Sequence, residues 1–137
     1  MPRRVRRMIL TYHLRINYED TDFSGFVYHA NYLKFCERAR SDYLRQKGVD
    51  QKAMFANGDA FVVRRMDCNF LAPARFEDEL TVETEFKEMA GARFELFQTI
   101  KLASTKLFTA SVTVVLIGSN GRPKRITDHL VAALTSA

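Results

Sequence analysis

The chain has 137 residues, 47% of them hydrophobic and 12% aromatic, which suits one compact domain that buries roughly two thirds of its unfolded surface. Its apolar runs are shorter than the ~20 residues of a membrane span and its N-terminus lacks a signal-peptide core, so we expect a cytoplasmic protein without a membrane span. A formal net charge of +5 predicts an anionic partner: a nucleic acid, a membrane surface or a phosphorylated small molecule.

The sequence contains no repeat, low-complexity segment or linker, so residues 1–137 are expected to form a single domain. Residues 1–7 hold four arginines and are expected to be a solvated, flexible basic arm. Nucleic acid is not the expected partner, because no helix-turn-helix, zinc-finger or RNP-like pattern is present. Cys36 and Cys68 have neither a neighbouring cysteine nor a ligand-spaced histidine, so they are expected to be buried free thiols, with no metal site.

The first predicted element is a strand over residues 10–18. Apolar residues alternate there with polar ones, which is typical of a strand with one buried face. The apolar positions are Leu10, Tyr12, Leu14, Ile16 and Tyr18.

The period then changes to that of a helix over residues 31–47, which ends at Gly48. One side of this helix is apolar and is formed by Tyr32, Phe35, Cys36, Ala39 and Tyr43.

Four further strands follow, over residues 60–70, 79–87, 93–103 and 107–117. The breaks between the last three are short, so these strands are expected to pair as an antiparallel meander. A short C-terminal helix is predicted over residues 128–134. Together the elements predict an α+β protein in which an antiparallel sheet wraps around one long central helix.

The loop between the first strand and the long helix carries the chemistry. Its sequence, with the start of the helix, is YEDTDFSGFVYHANYLKF over residues 18–35. Backbone N–H groups at a helix N-terminus lack intrahelical partners and can hold an oxyanion or polarise a carbonyl. Gly25 would allow a turn and a close approach to a ligand. A carboxylate in this loop could be a base, a nucleophile or a helix cap.

Three stretches resemble the hotdog-fold acyl-CoA thioesterases of the 4-hydroxybenzoyl-CoA thioesterase family, and within it the Tol-Pal-associated YbgC-like group. They are YEDTDFSGFVYHANYLKFCERARSDYLR over residues 18–45, AFVVRRMDCNFLAPARFEDEL over residues 60–80 and GRPKRI over residues 121–126. The first, with its D-x-D-x-x-G-x-V-x-H-x-N-Y order, is the specific one. The resemblance covers nearly the whole chain. It implies a five- or six-stranded sheet around the helix, and homodimers that commonly assemble into homotetramers.

By this resemblance Asp22 is the catalytic carboxylate, either as nucleophile on the thioester carbonyl or as general base for water. The backbone N–H of His29 would polarise the carbonyl. Gly25, Tyr28 and Asn31 are the candidates for the loop that contacts substrate.

Other residues of the loop have different expected roles. Asp20 is expected to be structural, and Ser24 is not expected to be a nucleophile, because no G-x-S-x-G elbow surrounds it. Phe23 and Ser24 depart from the commoner group pattern, where small residues often occur, and this leaves the shape of the acyl pocket open.

Coenzyme A would bring phosphates, and the sequence offers basic candidates for them. Arginine can grip phosphate with two parallel hydrogen bonds, whereas lysine supplies a point charge. The candidates are Arg93, Arg122, Lys124 and Arg125. A solvated basic turn is the alternative interpretation of the same residues.

The expected function is hydrolysis of an acyl-CoA thioester to a carboxylate and free coenzyme A. No metal or organic cofactor is expected, since coenzyme A is part of the substrate and product. One alternative is a thioesterase directed at acyl carrier protein. Another is a non-catalytic acyl-thioester binding module in lipid or envelope metabolism. Hydration of an enoyl thioester is a weaker alternative, because its active-site order differs.

Overall fold

The computed structural model describes residues 3–4 and 8–136. Strands β1 and β2 are followed by a 3-10 turn, two helices, four strands and a last helix. In chain order the elements are β1 (Arg3–Arg4), β2 (Ile9–Arg15), the 3-10 turn (Tyr18–Asp20), α1 (His29–Gln46), α2 (Gln51–Ala56), β3 (Ala60–Phe70), β4 (Glu79–Ala90), β5 (Arg93–Leu102), β6 (Thr105–Ile117) and α3 (Asp128–Thr135).

The six strands form one antiparallel sheet. Strands β4, β5 and β6 pair in sequence, which confirms the predicted meander. Both β1 and β2 pair with β4, so six strands occupy five positions. Strand β3 crosses to the far side and pairs with β6, so it forms one edge of the sheet. Among the described residues, no strand pairs with its other side.

Helix α1 lies in the hollow of this sheet. Its buried residues follow the predicted apolar face, with Phe35, Cys36 and Tyr43 almost fully buried. They pack in one core with Phe86 and Phe108 of the sheet. The predicted α+β hotdog architecture is therefore confirmed.

A buried polar group ties α1 to the middle of the sheet. Gln98 of β5 is fully buried and its amide nitrogen donates to the Cys36 carbonyl and to the Thr84 hydroxyl, both at 3.0 Å. Its amide oxygen accepts from Arg40 of α1 at 3.0 Å. Because buried polar groups need partners, this network favours one position of the helix on the sheet.

The boundaries differ from prediction in a few places. The first strand ends at Arg15 and Tyr18 is 80% exposed, because the chain enters the 3-10 turn there. Helix α2 was not predicted, although Asp50 at its N-cap accepts from the Ala53 N–H at 3.0 Å. In the basic arm expected over residues 1–7, Arg3–Arg4 pair with β4 as β1. The other residues of that arm lie outside the described residues.

The remaining features concern thiols, membranes and metals. Cys36 is a buried free thiol whose pKa burial raises to about 12, whereas Cys68 is free and only half-buried. No helix within residues 8–136 combines the length and the apolar character that crossing a membrane would take. In the same range, no three His, Cys, Asp or Glu side chains are grouped as metal ligands would be.

Candidate active site

The loop from β2 to α1 folds into a tight turn that presents Asp22. The Asp22 N–H donates to the Phe26 carbonyl at 2.9 Å, and the Gly25 N–H donates to the Asp22 carbonyl at 3.0 Å. Thr21 and Val27 form a bridge at the base of the turn. Gly25 has a φ of 85°, a conformation that glycine adopts without strain. Asp22, Phe23 and Ser24 at the tip are exposed.

Asp20 anchors this loop from within. Its side chain is buried and accepts from the Asn17 N–H at 2.8 Å. Its carbonyl accepts from the Asn31 side-chain amide at 2.8 Å and from the Tyr28 N–H at 3.0 Å. Asp20 therefore has the structural contacts expected of it. Asn31, a candidate for contact with substrate, has its amide engaged in holding the loop to α1.

A second set of contacts that hold this loop was not predicted from the sequence. The Tyr32 hydroxyl accepts from the buried Ala74 N–H at 2.9 Å, and the Ala74 carbonyl accepts from the Val27 N–H at 2.9 Å. The segment between β3 and β4 therefore connects α1 to the loop. No short sequence pattern predicts this contact, because it joins residues 42 positions apart.

Ser24 holds the Asp22 carboxylate in place. Asp22 Oδ1 accepts from the Ser24 backbone N–H at 2.8 Å and from the Ser24 hydroxyl. These two hydrogen bonds, the hydroxyl first, lower the pKa of Asp22 below its usual value, and the His29 imidazole adds a smaller effect. The carboxylate is therefore ionised at neutral pH. The signal in the sequence is the D-x-S spacing, which is typical of an Asx turn.

Helix α1 begins at His29, whose imidazole contributes to the lowered pKa of Asp22. Among the described residues, the backbone N–H groups of His29 and Ala30 have no acceptor, and the N-cap residue Tyr28 makes no side-chain cap. The His29 ring lies against Tyr28, with ring centroids 4.6 Å apart, and near Phe70, at 6.1 Å. An ionised carboxylate therefore lies in the loop that leads to unpaired N–H donors at the positive end of an 18-residue helix.

The basic candidates gather at the opposite end of the sheet. Arg93 starts β5, and the loop with Arg122, Lys124 and Arg125 follows the end of β6, which pairs with the start of β5 and of β3. The Gly91 carbonyl joins the two groups by accepting from the Ile126 N–H at 3.0 Å.

Two of these cations already have carboxylate partners. Arg93 Nη1 lies 3.9 Å from Glu88 and 3.7 Å from Glu95, and Lys124 Nζ lies 2.9 Å from Asp59. The side chains of Arg122 and Arg125 are exposed and, within residues 8–136, form no ion pair. These two are therefore the free candidates for a phosphate.

A further cation lies beside the Asp22 loop itself. The Arg75 guanidinium stands over the Phe26 ring, 5.0 Å from its centroid, and the two residues form a backbone bridge. The sequence offered no signal for this position, because the two residues are far apart along the chain.

Comparison with known proteins identifies the family. Residues 16–134 match the model of the thioesterase-like superfamily. The chain is 41% identical over 121 residues to the acyl-CoA thioester hydrolase YbgC of Escherichia coli O6:H1, covering 87% of this chain and 90% of that protein. It is 39% identical over 105 residues to the acyl-CoA thioesterase YbgC of Haemophilus influenzae, covering 76% of this chain and 77% of that one.

Comparison with a solved structure supports the same family. A probable thioesterase from Bartonella henselae superposes with a TM-score of 0.84 at 39% identity, covering 88% of this chain and all of that one. The chain is a thioester hydrolase that belongs to the thioesterase-like superfamily, as a YbgC-like member with the hotdog fold.

Proposed function

We propose that this thioester hydrolase cleaves acyl-CoA, with Asp22 as the catalytic carboxylate and the His29 backbone N–H as the group that polarises the carbonyl. One observation carries the proposal. The ionised Asp22 lies in the loop that leads into α1, where the His29 and Ala30 N–H groups are unpaired. A thioester carbonyl held by these donors would develop its negative charge toward the positive end of the helix.

An ionised carboxylate with one oxygen that has no hydrogen-bond donor among the described residues is suited to direct attack on the thioester carbonyl. The lowered pKa weakens Asp22 as a general base and as a nucleophile alike, so it does not choose between the two roles. Direct attack needs no proton transfer in its first step. Asp22 therefore acts as the nucleophile in this proposal.

The chemistry then runs in two steps. An Asp22 oxygen bonds to the carbonyl carbon and the carbon–sulfur bond breaks, which leaves a mixed anhydride and the coenzyme A thiolate. Water cleaves the anhydride and restores the Asp22 carboxylate together with a free acyl carboxylate. Of the two protons released, one goes to the thiolate and the other to solvent. The scheme invokes no metal or organic cofactor.

We also propose that the protein works as a homodimer, or as a homotetramer built from dimers. Strand β3 has one side unpaired among the described residues, and an open strand edge is a template for pairing with another chain. Exposed aromatic side chains surround the Asp22 loop, including Tyr18, Phe23 and Tyr28. A second subunit would cover them. A cytoplasmic location, expected from the sequence, stays a prediction.

Replacing Asp22 by Asn tests the proposal. The change is nearly isosteric and an amide oxygen can still accept from Ser24, so the fold should survive while the nucleophile is lost. Thiol release from acyl-CoA should fall on the order of 100-fold or more, with unchanged circular dichroism. Glu19→Gln, which removes an exposed carboxylate of the same loop, is the matched control and should keep its activity.

Retention of wild-type turnover by Asp22→Asn would show that another group does the chemistry. Thioesters of acyl carrier protein and of coenzyme A should be compared in the same assay, because a strong preference for the protein-bound thioester would change the substrate class. Rapid quench during the first turnover, followed by mass spectrometry, should find the acyl group on the peptide that contains Asp22. Its absence at every quench time would indicate activation of water instead.

A further inference from the structure

The candidate active site has two parts, and their relative position decides whether both can act on one carbonyl. One part is the Asp22 carboxylate in the loop, and the other is the pair of unpaired N–H groups at His29 and Ala30. The tip of the loop is exposed. A displacement of about 1 Å can cost a preorganised site much of its rate, so the contacts that hold this loop on α1 bear on catalysis.

The loop is held to α1 on both sides of the carboxylate. On the upstream side, the Asp20 carbonyl accepts from the Asn31 side-chain amide at 2.8 Å. On the downstream side, the Val27 N–H donates to the Ala74 carbonyl at 2.9 Å, and the Ala74 N–H donates to the Tyr32 hydroxyl at 2.9 Å. Tyr32 therefore joins the downstream side of the loop to the helix that supplies the N–H groups.

The Tyr32 ring is itself held in one place. It is buried and stacks on Phe108 of β6, with ring centroids 5.5 Å apart and an angle of 8° between the planes. The rings of Phe35 and Phe70 lie edge-on to it, at 6.1 Å and 5.9 Å. Because side chains in a packed core keep fixed rotamers, the hydroxyl offers its oxygen to the Ala74 N–H from a fixed position.

The segment that Tyr32 holds also contacts the loop next to the carboxylate. Arg75 and Phe26 form a backbone bridge, and the Arg75 guanidinium stands over the Phe26 ring, 5.0 Å from its centroid. The Phe26 carbonyl accepts from the Asp22 N–H at 2.9 Å. Ala74 is fully buried, so no solvent is at hand to replace the Tyr32 hydroxyl as the partner of its N–H. A continuous series of contacts therefore runs from this hydroxyl to the residue that bears the carboxylate.

We infer that Tyr32 is a positioning residue of the reaction: its hydroxyl fixes, through the segment at Ala74, the distance of the Asp22 carboxylate from the N–H groups at the start of α1. The inference rests on the proposed function and adds the group that holds the two parts of the site together. Tyr32 acts through other residues, because its hydroxyl is bonded to a buried backbone N–H.

Tyr32→Phe tests the inference, and Tyr43→Phe is the matched control. Each substitution removes from α1 one hydroxyl that bonds to a backbone group, since the Tyr43 hydroxyl donates to the Leu134 carbonyl at 3.2 Å. Tyr43 lies roughly 16 Å further along the helix, at ~1.5 Å per residue. In Tyr32→Phe the kcat for thiol release should fall on the order of tenfold, whereas Tyr43→Phe should stay within about twofold of the wild type. The KM should change little in both variants.

Urea unfolding separates the effect on position from the effect on stability. Both variants should unfold at lower urea concentration than the wild type, because each leaves one buried backbone group without its partner. The kcat is then measured under conditions in which both variants are fully folded. Wild-type kcat in Tyr32→Phe, or an equal fall of kcat in the two variants, overturns the inference.

Amide hydrogen exchange tests the same connection without an assay of activity. In Tyr32→Phe the N–H groups of Asp22 and Val27 should exchange faster than in the wild type, and in Tyr43→Phe they should keep the wild-type rate. Unchanged exchange at both positions in folded Tyr32→Phe would overturn the connection. A wild type without thiol release would instead overturn the proposed function, on which the exchange result does not depend.

Arg75→Gln weakens the connection from the surface and serves as the second variant should Tyr32→Phe fail to fold. It removes the guanidinium from the Phe26 ring and keeps the backbone bridge. The kcat should fall on the order of threefold with an unchanged KM, in keeping with the strength of an exposed cation–π contact. Wild-type kcat in Arg75→Gln, or a rise in KM alone, would overturn the route through this segment.

Discussion

Asp22 and Ser24 lie two residues apart, and this spacing lets Ser24 influence the protonation state of the Asp22 carboxylate. The Ser24 N–H and hydroxyl both donate to Asp22 Oδ1, which leaves Oδ2 without a donor among the described residues. Hydrogen bonds to the charged form lower the pKa of a carboxyl group. The exposed loop thus keeps Asp22 ionised and leaves one oxygen free of hydrogen-bond donors from the described residues.

Ser24→Ala should therefore change the pH dependence of the reaction. The substitution removes the hydroxyl donor, which is the largest cause of the lowered pKa, and keeps the backbone donor. The pKa of Asp22 should rise toward its ordinary value. In the proposed mechanism the ionised form is the reactive one, so the acid limb of the kcat/KM profile should move to higher pH.

The measurement is a pH–rate profile from about pH 3 to 8, a range that brackets the ordinary pKa of an aspartate. Ser111→Ala, which removes an exposed hydroxyl on β6, is the control and should leave the acid limb in place. An acid limb that does not move in Ser24→Ala would mean that it reports the titration of another group.

At this scale the sequence predicted only part of the short-range structure. The structural role expected for Asp20 fits its short-range hydrogen bond to Asn17. The hydrogen bonds from Ser24 to the Asp22 carboxylate were not predicted, although the D-x-S spacing can be seen in the sequence. The contact between Tyr32 and Ala74 could not be predicted, because it depends on how β3 returns the chain to the loop.

At the scale of elements, the network around Gln98 links α1 with β4 and β5. A buried polar group without a hydrogen-bond partner lowers the stability of the fold by more than a formed hydrogen bond raises it. Gln98 makes three such contacts, to Cys36, Thr84 and Arg40. The position of α1, whose first N–H groups belong to the candidate active site, therefore depends on this side chain.

Gln98→Leu should destabilise the fold by about 1–3 kcal/mol, because it keeps the volume of the side chain but leaves the Thr84 hydroxyl and the Arg40 guanidinium without this partner. Urea unfolding measures the loss. Gln46→Leu is the matched control: Gln46 is exposed on α1, so the same chemical change should cost no more than about 0.5 kcal/mol. Equal losses in both variants would show that Gln98 contributes only its apolar volume.

Most elements could be predicted because their hydrophobic periods are long and regular. The helix predicted over residues 31–47 appears as His29–Gln46, and the strand predicted over residues 60–70 has the same bounds. Helix α2 was missed because six residues are too few to show a helical period. The pairing of β3 with β6 could not be predicted, since no short turn joins them.

At the scale of the whole molecule, the excess of positive charge is unevenly placed. The cations selected from the sequence do gather, but at the end of the sheet away from Asp22, and Arg93 and Lys124 are paired with acids. The sequence could identify the loop of residues 122–125 as a candidate, but the distance of this loop from Asp22 depends on the length and direction of β3. Arg122 and Arg125 are therefore better positions for a test than Lys124.

Binding of the coenzyme A phosphates by residues 122–125 predicts that Arg122→Ala with Arg125→Ala raises the KM for acyl-CoA with little change in kcat, because the phosphates lie far from the reacting carbonyl. The rise should shrink as salt increases from about 0.05 M to 0.5 M, since exposed charges are screened. It should vanish for an acyl-pantetheine substrate, which lacks the nucleotide. Arg15→Ala with Lys87→Ala lowers the net charge equally on strands away from β3, so it separates local binding from overall charge. An equal rise in KM for both substrates would show that the loop supports the fold and does not bind phosphate.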